Sequence, residues 1–244
     1  MSAAARKYTG LVERIRDLTQ DIRQLRIRLV EPDTIDFAAG QNIRLEVPPH
    51  AAAGEKVHRN YSFANPPSDS RGVELIVHRV PGGIATTWIF TVLREGDEVR
   101  FIGPFGRFGL SPTDRPMVWV AGGSGMSPFW SMLRQMREQK SRRECTYFYG
   151  ALAVRDLFFT EELLEMEKGL PNFRYVPALS APAPGDDWSG ETGLITDVMD
   201  RRVTDVADKE FYLCGSGGMV TAALEVLRAR GVPPDRILYD SFRR

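Results

Sequence analysis

The chain has 244 residues, 43% hydrophobic and 26% charged, an ordinary globular profile with room for two modest domains. Its 32 basic residues balance 32 acidic ones, so there is no global charge argument for nucleic acid or a membrane surface. No apolar run reaches membrane-span length and Met1-Ser2-Ala3-Ala4-Ala5-Arg6-Lys7 lacks the apolar centre of a leader peptide, so the expected compartment is the cytoplasm.

From Tyr8 to about Ile102 the apolar residues alternate with a period of two, as in Leu25, Ile27 and Leu29, then Ile43, Leu45 and Val47, then Val73, Leu75 and Val77. Short strands between turn-rich breaks predict an antiparallel barrel or sandwich, interrupted by one helix from Ile84 to Leu93 behind Pro81-Gly82-Gly83. The domain boundary is expected near residues 104 to 114, where Pro104-Phe105-Gly106 and Ser111-Pro112-Thr113-Asp114 break the pattern. Beyond it strands alternate with helices: Met117–Ala121 then Ser127–Gln139, Cys145–Gly150 then Thr160–Lys168, Arg174–Leu179 then Ile195–Arg202, and Phe211–Cys214 then Met219–Arg230. Ile237–Tyr239 closes the series as a fifth strand. Such alternation implies right-handed crossovers, a parallel sheet, and ligands at the carboxyl ends of its strands. Ala181-Pro182-Ala183-Pro184-Gly185-Asp186-Asp187 reads as a loop.

Four segments carry chemistry. Arg59-Asn60-Tyr61-Ser62 combines on one strand a guanidinium able to grip a phosphate, a flat phenol and a small hydroxyl. Strand geometry puts Arg59 and Tyr61 on one face and Asn60 and Ser62 on the other. In His78-Arg79-Val80-Pro81-Gly82-Gly83-Ile84-Ala85-Thr86, the two glycines supply bare backbone N–H groups at a helix start, and Thr86 adds a hydroxyl. A plain strand-to-helix turn is the alternative reading of that segment. Gly122-Gly123-Ser124-Gly125-Met126-Ser127-Pro128 joins a strand to a helix without being the dehydrogenase G-x-G-x-x-G. Tyr212-Leu213-Cys214-Gly215 ends a strand where a ligand would sit, although a buried structural cysteine fits the same pattern. Cys145 opens a strand and matches no motif. Two cysteines exclude an internal cluster on four thiolates, and His50, His58 and His78 lack metal-site spacing, so no metal is expected.

Taken in order, these segments resemble the ferredoxin–NADP reductase superfamily, above all the flavin-and-nicotinamide module of oxygenase reductases, flavohaemoglobins and the F subunit of sodium-pumping NADH:quinone reductase. The resemblance runs from about Tyr8 to Phe242. It implies an antiparallel FAD-binding β-barrel over residues 1–110, then a five-stranded parallel α/β domain binding NAD(P)H over 111–244. By the same resemblance Arg59 would pair with the FAD pyrophosphate, Tyr61 would lie against the isoalloxazine or ribityl, and Ser62 would hydrogen-bond near flavin N5. Asn60, Val77, His78, Arg79, Gly82, Gly83, Ala85, Thr86 and Phe242 complete the implied FAD set. His78 stands where relatives commonly carry Lys or Arg, and an exposed strand histidine is the alternative.

The family's Gly-Gly-x-Gly-x-x-Pro form implies that Gly122, Gly123, Ser124, Gly125, Ser127 and Pro128 hold the nicotinamide-dinucleotide pyrophosphate. Cys214 would lie near the nicotinamide, with Gly215 and Met219 beside it, although Ser216 and Gly217 replace the two prolines of the family's Cys-Gly-Pro-Pro-x-Met. The ending Tyr239-Asp240-Ser241-Phe242-Arg243-Arg244 matches an acidic-x-aromatic terminus. Asp240 would then stand near Ser62 and Cys214, and Phe242 would cover the flavin or simply pack into the core. Ser62, Cys214, Asp240 and Phe242 are thus the expected catalytic residues. After the second strand of the α/β domain, uncharged Leu152 and acidic Asp156, the latter a ribose partner, favour NADH over NADPH, against Arg155.

The implied activity is hydride transfer from NADH to FAD, then delivery of single electrons to a ferredoxin-like or oxygenase partner protein. Relatives often fuse a plant-type ferredoxin domain to this module. With none in this sequence, the acceptor is expected to be a separate protein or an excised part of a longer chain. Two alternatives stay open: direct reduction of a small acceptor such as flavin, ferric chelate or quinone, and an electron-relay or sensing subunit of a larger complex.

Overall fold

The computed structural model describes residues 4–50 and 54–242, so 1–3 of the opening segment and Arg243-Arg244 of the terminal motif lie outside the described residues. Two compact units emerge. The first holds the chain up to Leu110 together with Ser127–Gln135; the second holds Ser111–Met126 and everything from Met136 on.

In the first unit, strands β1 (Arg6–Asp17), β2 (Ile22–Glu31), β3 (Asn42–Val47), β4 (Val57–Ser62) and β5 (Gly72–His78) are followed by helix α1 (Ile84–Thr91) and strand β6 (Glu98–Phe105). They form one sheet of six strands in the order β4-β3-β6-β1-β2-β5, and every pairing is antiparallel. Just past β4, the Ala64 N–H donates to the carbonyl of Glu74 in β5 (2.8 Å), which draws the two edge strands together. The alternating residues do what their period demands: Leu25, Ile27, Ile43, Leu45, Val73 and Leu75 are fully buried in one core, capped by Trp88 and Ile89 of α1. Register slips between Val12 and Arg14 mark a bulge in β1, where strict alternation breaks.

In the second unit, β7 (Met117–Gly122) leads through a tight turn (Gly123–Gly125) to helix α2 (Met126–Glu138), whose Ser127–Gln135 group with the first unit. Then come β8 (Cys145–Ala151), α3 (Thr160–Gly169), β9 (Phe173–Leu179), β10 (Glu191–Thr192), α4 (Ile195–Arg202), β11 (Glu210–Ser216), α5 (Gly217–Ala229) and β12 (Ile237–Phe242). The sheet is parallel, in the order β10-β9-β8-β7-β11-β12. It has six strands where periodicity counts five; β10 has only two residues, too few to leave a pattern. One face of the sheet, with Val118, Val120, Phe148, Phe211 and Leu213, packs on Ile195, Val198 and Met199 of α4 and Val220, Ala223 and Leu227 of α5. The other presents an aromatic layer in which Trp119 lies 5.9 Å from Tyr147 and 6.3 Å from Tyr212, ring centre to ring centre. Burial on both faces explains the unbroken apolar run of β7.

A buried polar knot closes the amino end of this sheet. Glu210, at the start of β11, accepts hydrogen bonds from Arg143 (2.7 Å), Thr113 (2.8 Å), Tyr212 (2.8 Å) and Ser111. Arg143 and Glu210 are almost fully buried, and Arg143 also donates to the Ser111 and Arg115 carbonyls. Burial pushes the Glu210 carboxyl up, but the four hydrogen bonds together outweigh it and hold it below the usual carboxylate range.

Candidate functional site

On the barrel unit, the Arg-x-Tyr-Ser segment forms most of edge strand β4, which pairs within the sheet only with β3. Arg59 is exposed; its guanidinium donates to the neighbouring His58 carbonyl (2.8 Å), and no described carboxylate pairs with it. It is a cation left available for an anion. Tyr61 packs against the barrel core, and burial pushes its phenol up while the Arg59 charge pulls the other way, so it stays neutral. Asn60 is exposed and Ser62 is buried at the strand's end.

The glycine turn ahead of α1 is built from within. Thr86 is buried and its hydroxyl donates toward the carbonyls of Val80 (3.0 Å) and Gly83 (3.2 Å) and accepts from the Val80 N–H (3.2 Å). The Gly83 N–H donates to Val80 as well (2.8 Å). Thr86 therefore shapes the turn from inside, where the sequence reading gave it to the ligand. Gly82 has φ +70°, and a Cβ there would meet nothing within 4 Å, so the turn presents bare backbone to the outside. The first turn of α1 has neither a side-chain cap nor an acidic residue, which leaves its N–H groups free for an anion.

Other residues of the implied FAD set fall differently. Val77 and Ala85 point into the barrel core, Val77 because it continues the inward row of Val73 and Leu75. Any contact of theirs with a ligand would run through the backbone. His78 is exposed at the end of β5. Arg79 is exposed too, with its guanidinium 5.8 Å from the Phe90 ring centre. The donor set thus fits a flavin dinucleotide: one unpaired guanidinium, an uncapped helix start and a neutral phenol on one edge.

On the α/β unit, Gly122, Gly123, Ser124 and Gly125 run from β7 into the turn ahead of α2, with no side-chain cap and no acid in the first turn. Gly123 has φ +55° and its carbonyl accepts the hydroxyl of Tyr149 (3.2 Å), an anchor for the loop that sequence reading missed. Gly125 must be glycine, because a Cβ there would run into the Cys214 carbonyl. Close approach of this turn to β11 brings two predicted segments together. A Cβ on Gly122 or Gly215 would meet the Met219 thioether at 3.5 and 3.3 Å, so these three predicted residues line one backbone-walled cradle. An extended diphosphate fits such a surface of bare peptide groups.

Cys214 is fully buried, and burial, with the Asp240 charge, pushes its thiol well above the ordinary value. Burial thus favours the neutral thiol over the thiolate. Asp240 is its register partner on β12, as the terminal motif implies, and burial raises the Asp240 carboxyl. Phe242 pairs with Ser216 as the last described residue of β12. Pro128 is buried in the first turn of α2. Ser127 is buried as well, and its hydroxyl donates to the Ser62 carbonyl (2.9 Å) in the barrel unit, to which both residues belong. Asp156 caps its own turn by accepting from the Ala153 N–H (3.0 Å), and Leu152 is exposed beside it.

Two surface grooves are lined by none of the predicted site residues, although the second includes His58 beside Arg59. One of about 530 Å³ runs along Thr204–Ala207 and Arg230–Arg236, and one of about 510 Å³ crosses the barrel's outer face. Several of their cations are engaged locally: Arg230 with Asp200 and Thr204, Arg236 with Ala207, Lys56 with Glu46. Among the described residues no three His, Cys, Asp or Glu side chains converge as a metal site, and no helix is long and apolar enough to cross a membrane.

Comparison with known proteins matches residues 9–109 to an oxidoreductase FAD-binding domain and 119–225 to an oxidoreductase NAD-binding domain. The reductase component of propane 2-monooxygenase from Mycolicibacterium smegmatis is 39% identical over 235 residues, 95% of this chain and 66% of that protein. The F subunit of the Na(+)-translocating NADH-quinone reductase of Pseudomonas aeruginosa is 33% identical over 97% of this chain and 68% of its own length. Among solved structures, the Amycolatopsis cytochrome P450 reductase GcoB superposes with a TM-score of 0.88 at 32% identity, over 98% of this chain and 70% of that one. The chain spans 62–66% of the length of the propane-monooxygenase reductase components it matches.

Proposed function

The chain belongs to the ferredoxin–NADP reductase superfamily of FAD- and NAD-binding oxidoreductases, and from that premise we propose that it is the NADH-oxidising flavoprotein module of an oxygenase system, working in the cytoplasm. FAD, when bound, supplies the ability to take a hydride from NADH and to release the two electrons one at a time. The protein's contribution is binding, orientation and charge. Arg59 and the uncapped start of α1 would hold the diphosphate, Tyr61 would give the ring system a neutral aromatic wall, and Ser62 would offer its hydroxyl to the hydride-accepting edge. Gly122 to Gly125, with Gly215 and Met219, hold the dinucleotide's diphosphate on bare backbone. Leu152 offers no charge to a 2′-phosphate and Asp156 repels one, which favours NADH.

The observation that carries this reading is the set of three anion-ready features: the uncapped start of α1, the bare glycine turn ahead of α2, and a guanidinium on β4 with no described carboxylate partner. The acceptor is a ferredoxin-like protein or an oxygenase component, supported by the likeness to oxygenase reductase components. Purified protein should release FAD on heating and should reduce an iron–sulfur protein or one-electron dye with NADH. Saturation by a small flavin, ferric chelate or quinone alone would favour direct reduction of a small acceptor. Tight FAD with no NADH oxidation would favour a relay subunit.

A further inference from the structure

Helix α2 carries a polar stripe that the nucleotide reading leaves unexplained. Ser127, Ser131 and Arg134 follow at spacings of four and three residues, so they share one helix face. All three belong to the barrel unit and bond to its polypeptide just beyond the Arg-x-Tyr-Ser strand. The Ser127 hydroxyl donates to the Ser62 carbonyl (2.9 Å), the Ser131 hydroxyl to the Asn65 carbonyl (2.6 Å), and the Arg134 guanidinium to the Glu74 carboxylate (2.6 Å). Both serines are at most 2% exposed, and Asn65 is wholly buried. The Asn65 side chain binds the carbonyls of Asp69 and Gly72 and the Glu74 N–H. The whole β4–β5 connection is thus closed off by hydrogen bonds.

Two hydroxyls buried on a helix among Met126, Phe129, Trp130, Met132 and Leu133 are costly unless their bonds have a use, because an alanine of similar size would pack without desolvating a polar group. Their carbonyl partners define that use. A hydrogen bond to the Ser62 carbonyl fixes the peptide plane that follows Ser62, and with it the stretch of backbone from which the Ser62 side chain projects. We propose that Ser127 and Ser131 are positioning residues for Ser62, clamping the end of β4 so that the backbone carrying its hydroxyl is held in place beside the flavin. This rests on the reading of Ser62 as the residue beside the flavin. It moves Ser127 from the nucleotide site, where its motif puts it, to the flavin strand.

The test compares Ser127→Ala, Ser127→Thr, Ser131→Ala and Ser62→Ala as FAD-loaded proteins, and the first two also after FAD is stripped. In FAD-free Ser127→Ala, amide hydrogen exchange across Tyr61–Ala64 should quicken by about tenfold, a net hydrogen bond's worth, while Ser127→Thr stays at the wild-type rate. In the loaded protein, Ser127→Ala should slow the limiting rate of flavin reduction by NADH several-fold and shift the flavin midpoint potential. NADH and NAD⁺ affinities should stay within about twofold, since a lost hydrogen bond elsewhere costs the nucleotide nothing. Ser131→Ala, one turn further on, should move each quantity the same way by a smaller factor, and it carries the test if Ser127→Ala does not fold. Unchanged exchange and unchanged reduction in Ser127→Ala would overturn the proposal, as would weakened nucleotide binding with normal exchange, which would return Ser127 to the nucleotide. Ser62→Ala tells the two levels apart. If it slows reduction and Ser127→Ala does not, the clamp alone fails; if Ser62→Ala leaves reduction unchanged, the flavin reading of Ser62 fails and the proposal falls with it.

Discussion

Replacing Arg59 by alanine separates ligand binding from folding unusually well. Among the described residues this guanidinium makes one hydrogen bond, to the carbonyl of the adjacent His58, and no carboxylate pairs with it. It is exposed, so its removal opens no cavity, and the FAD-free fold should keep its stability to within about 0.5 kcal/mol. Against a diphosphate the same group would make charge-assisted hydrogen bonds worth roughly 1.5–3 kcal/mol. Its exposure lets solvent screen part of that, so the lower half of the range applies. The dissociation constant for FAD should therefore rise by about ten- to fortyfold. Titration of FAD-free protein with FAD, read by quenching of flavin fluorescence, measures it directly, and thermal unfolding of the same preparation checks the fold. An affinity within about twofold of wild type would remove Arg59 from the site.

Three further outcomes follow from the second unit. Glu210→Gln should destabilise by about 3 kcal/mol, because Arg143 is left buried without its counter-charge. Since the folded Glu210 carboxyl lies below its unfolded value, its contribution is present above about pH 4.5 and is lost as pH falls through the folded value. Unfolding midpoints measured from neutral to acid pH should show that acid limb in wild type and a flatter one in the variant. Cys214→Ala should slow flavin reduction several-fold while Cys145→Ala leaves it unchanged, although both cysteines are fully enclosed: Cys214 adjoins the glycine turn, whereas Cys145 lies at the opposite end of the sheet. Equal stopped-flow rates for the two variants would reduce Cys214 to packing. NADH should have a higher kcat/KM than NADPH, and Asp156→Ala should narrow the gap while loosening the turn that Asp156 caps; an NADPH value equal to or above that for NADH would refute the preference.

The elements were legible wherever one face or both are buried, because burial writes itself as period two or as an unbroken apolar run. Leu25-x-Ile27-x-Leu29 and Met117–Ala121 are the plainest cases. Strand β10 escaped for want of length, and the bulge in β1 for want of strict alternation. Gly125, Cys214 and Gly215, which the motifs named separately, adjoin in the fold, since only glycine tolerates the approach to the Cys214 carbonyl. The same matching gave Val77 and Ala85 to the ligand although alternation and burial send both inward. Thr86 and Ser127 show why hydroxyls are hard to place from sequence: each satisfies a backbone carbonyl whose position depends on the fold. The bond from Arg143 to Glu210 joins residues 67 apart and leaves no local trace.

The central claim is that this chain takes a hydride from NADH onto bound FAD. Mixing the FAD-loaded protein with NADH in a stopped-flow instrument without oxygen follows that step alone, with no acceptor present. The visible flavin absorption should bleach at a rate that saturates with NADH and that falls in Ser62→Ala. Protein that retains FAD but keeps its colour under saturating NADH would contradict it.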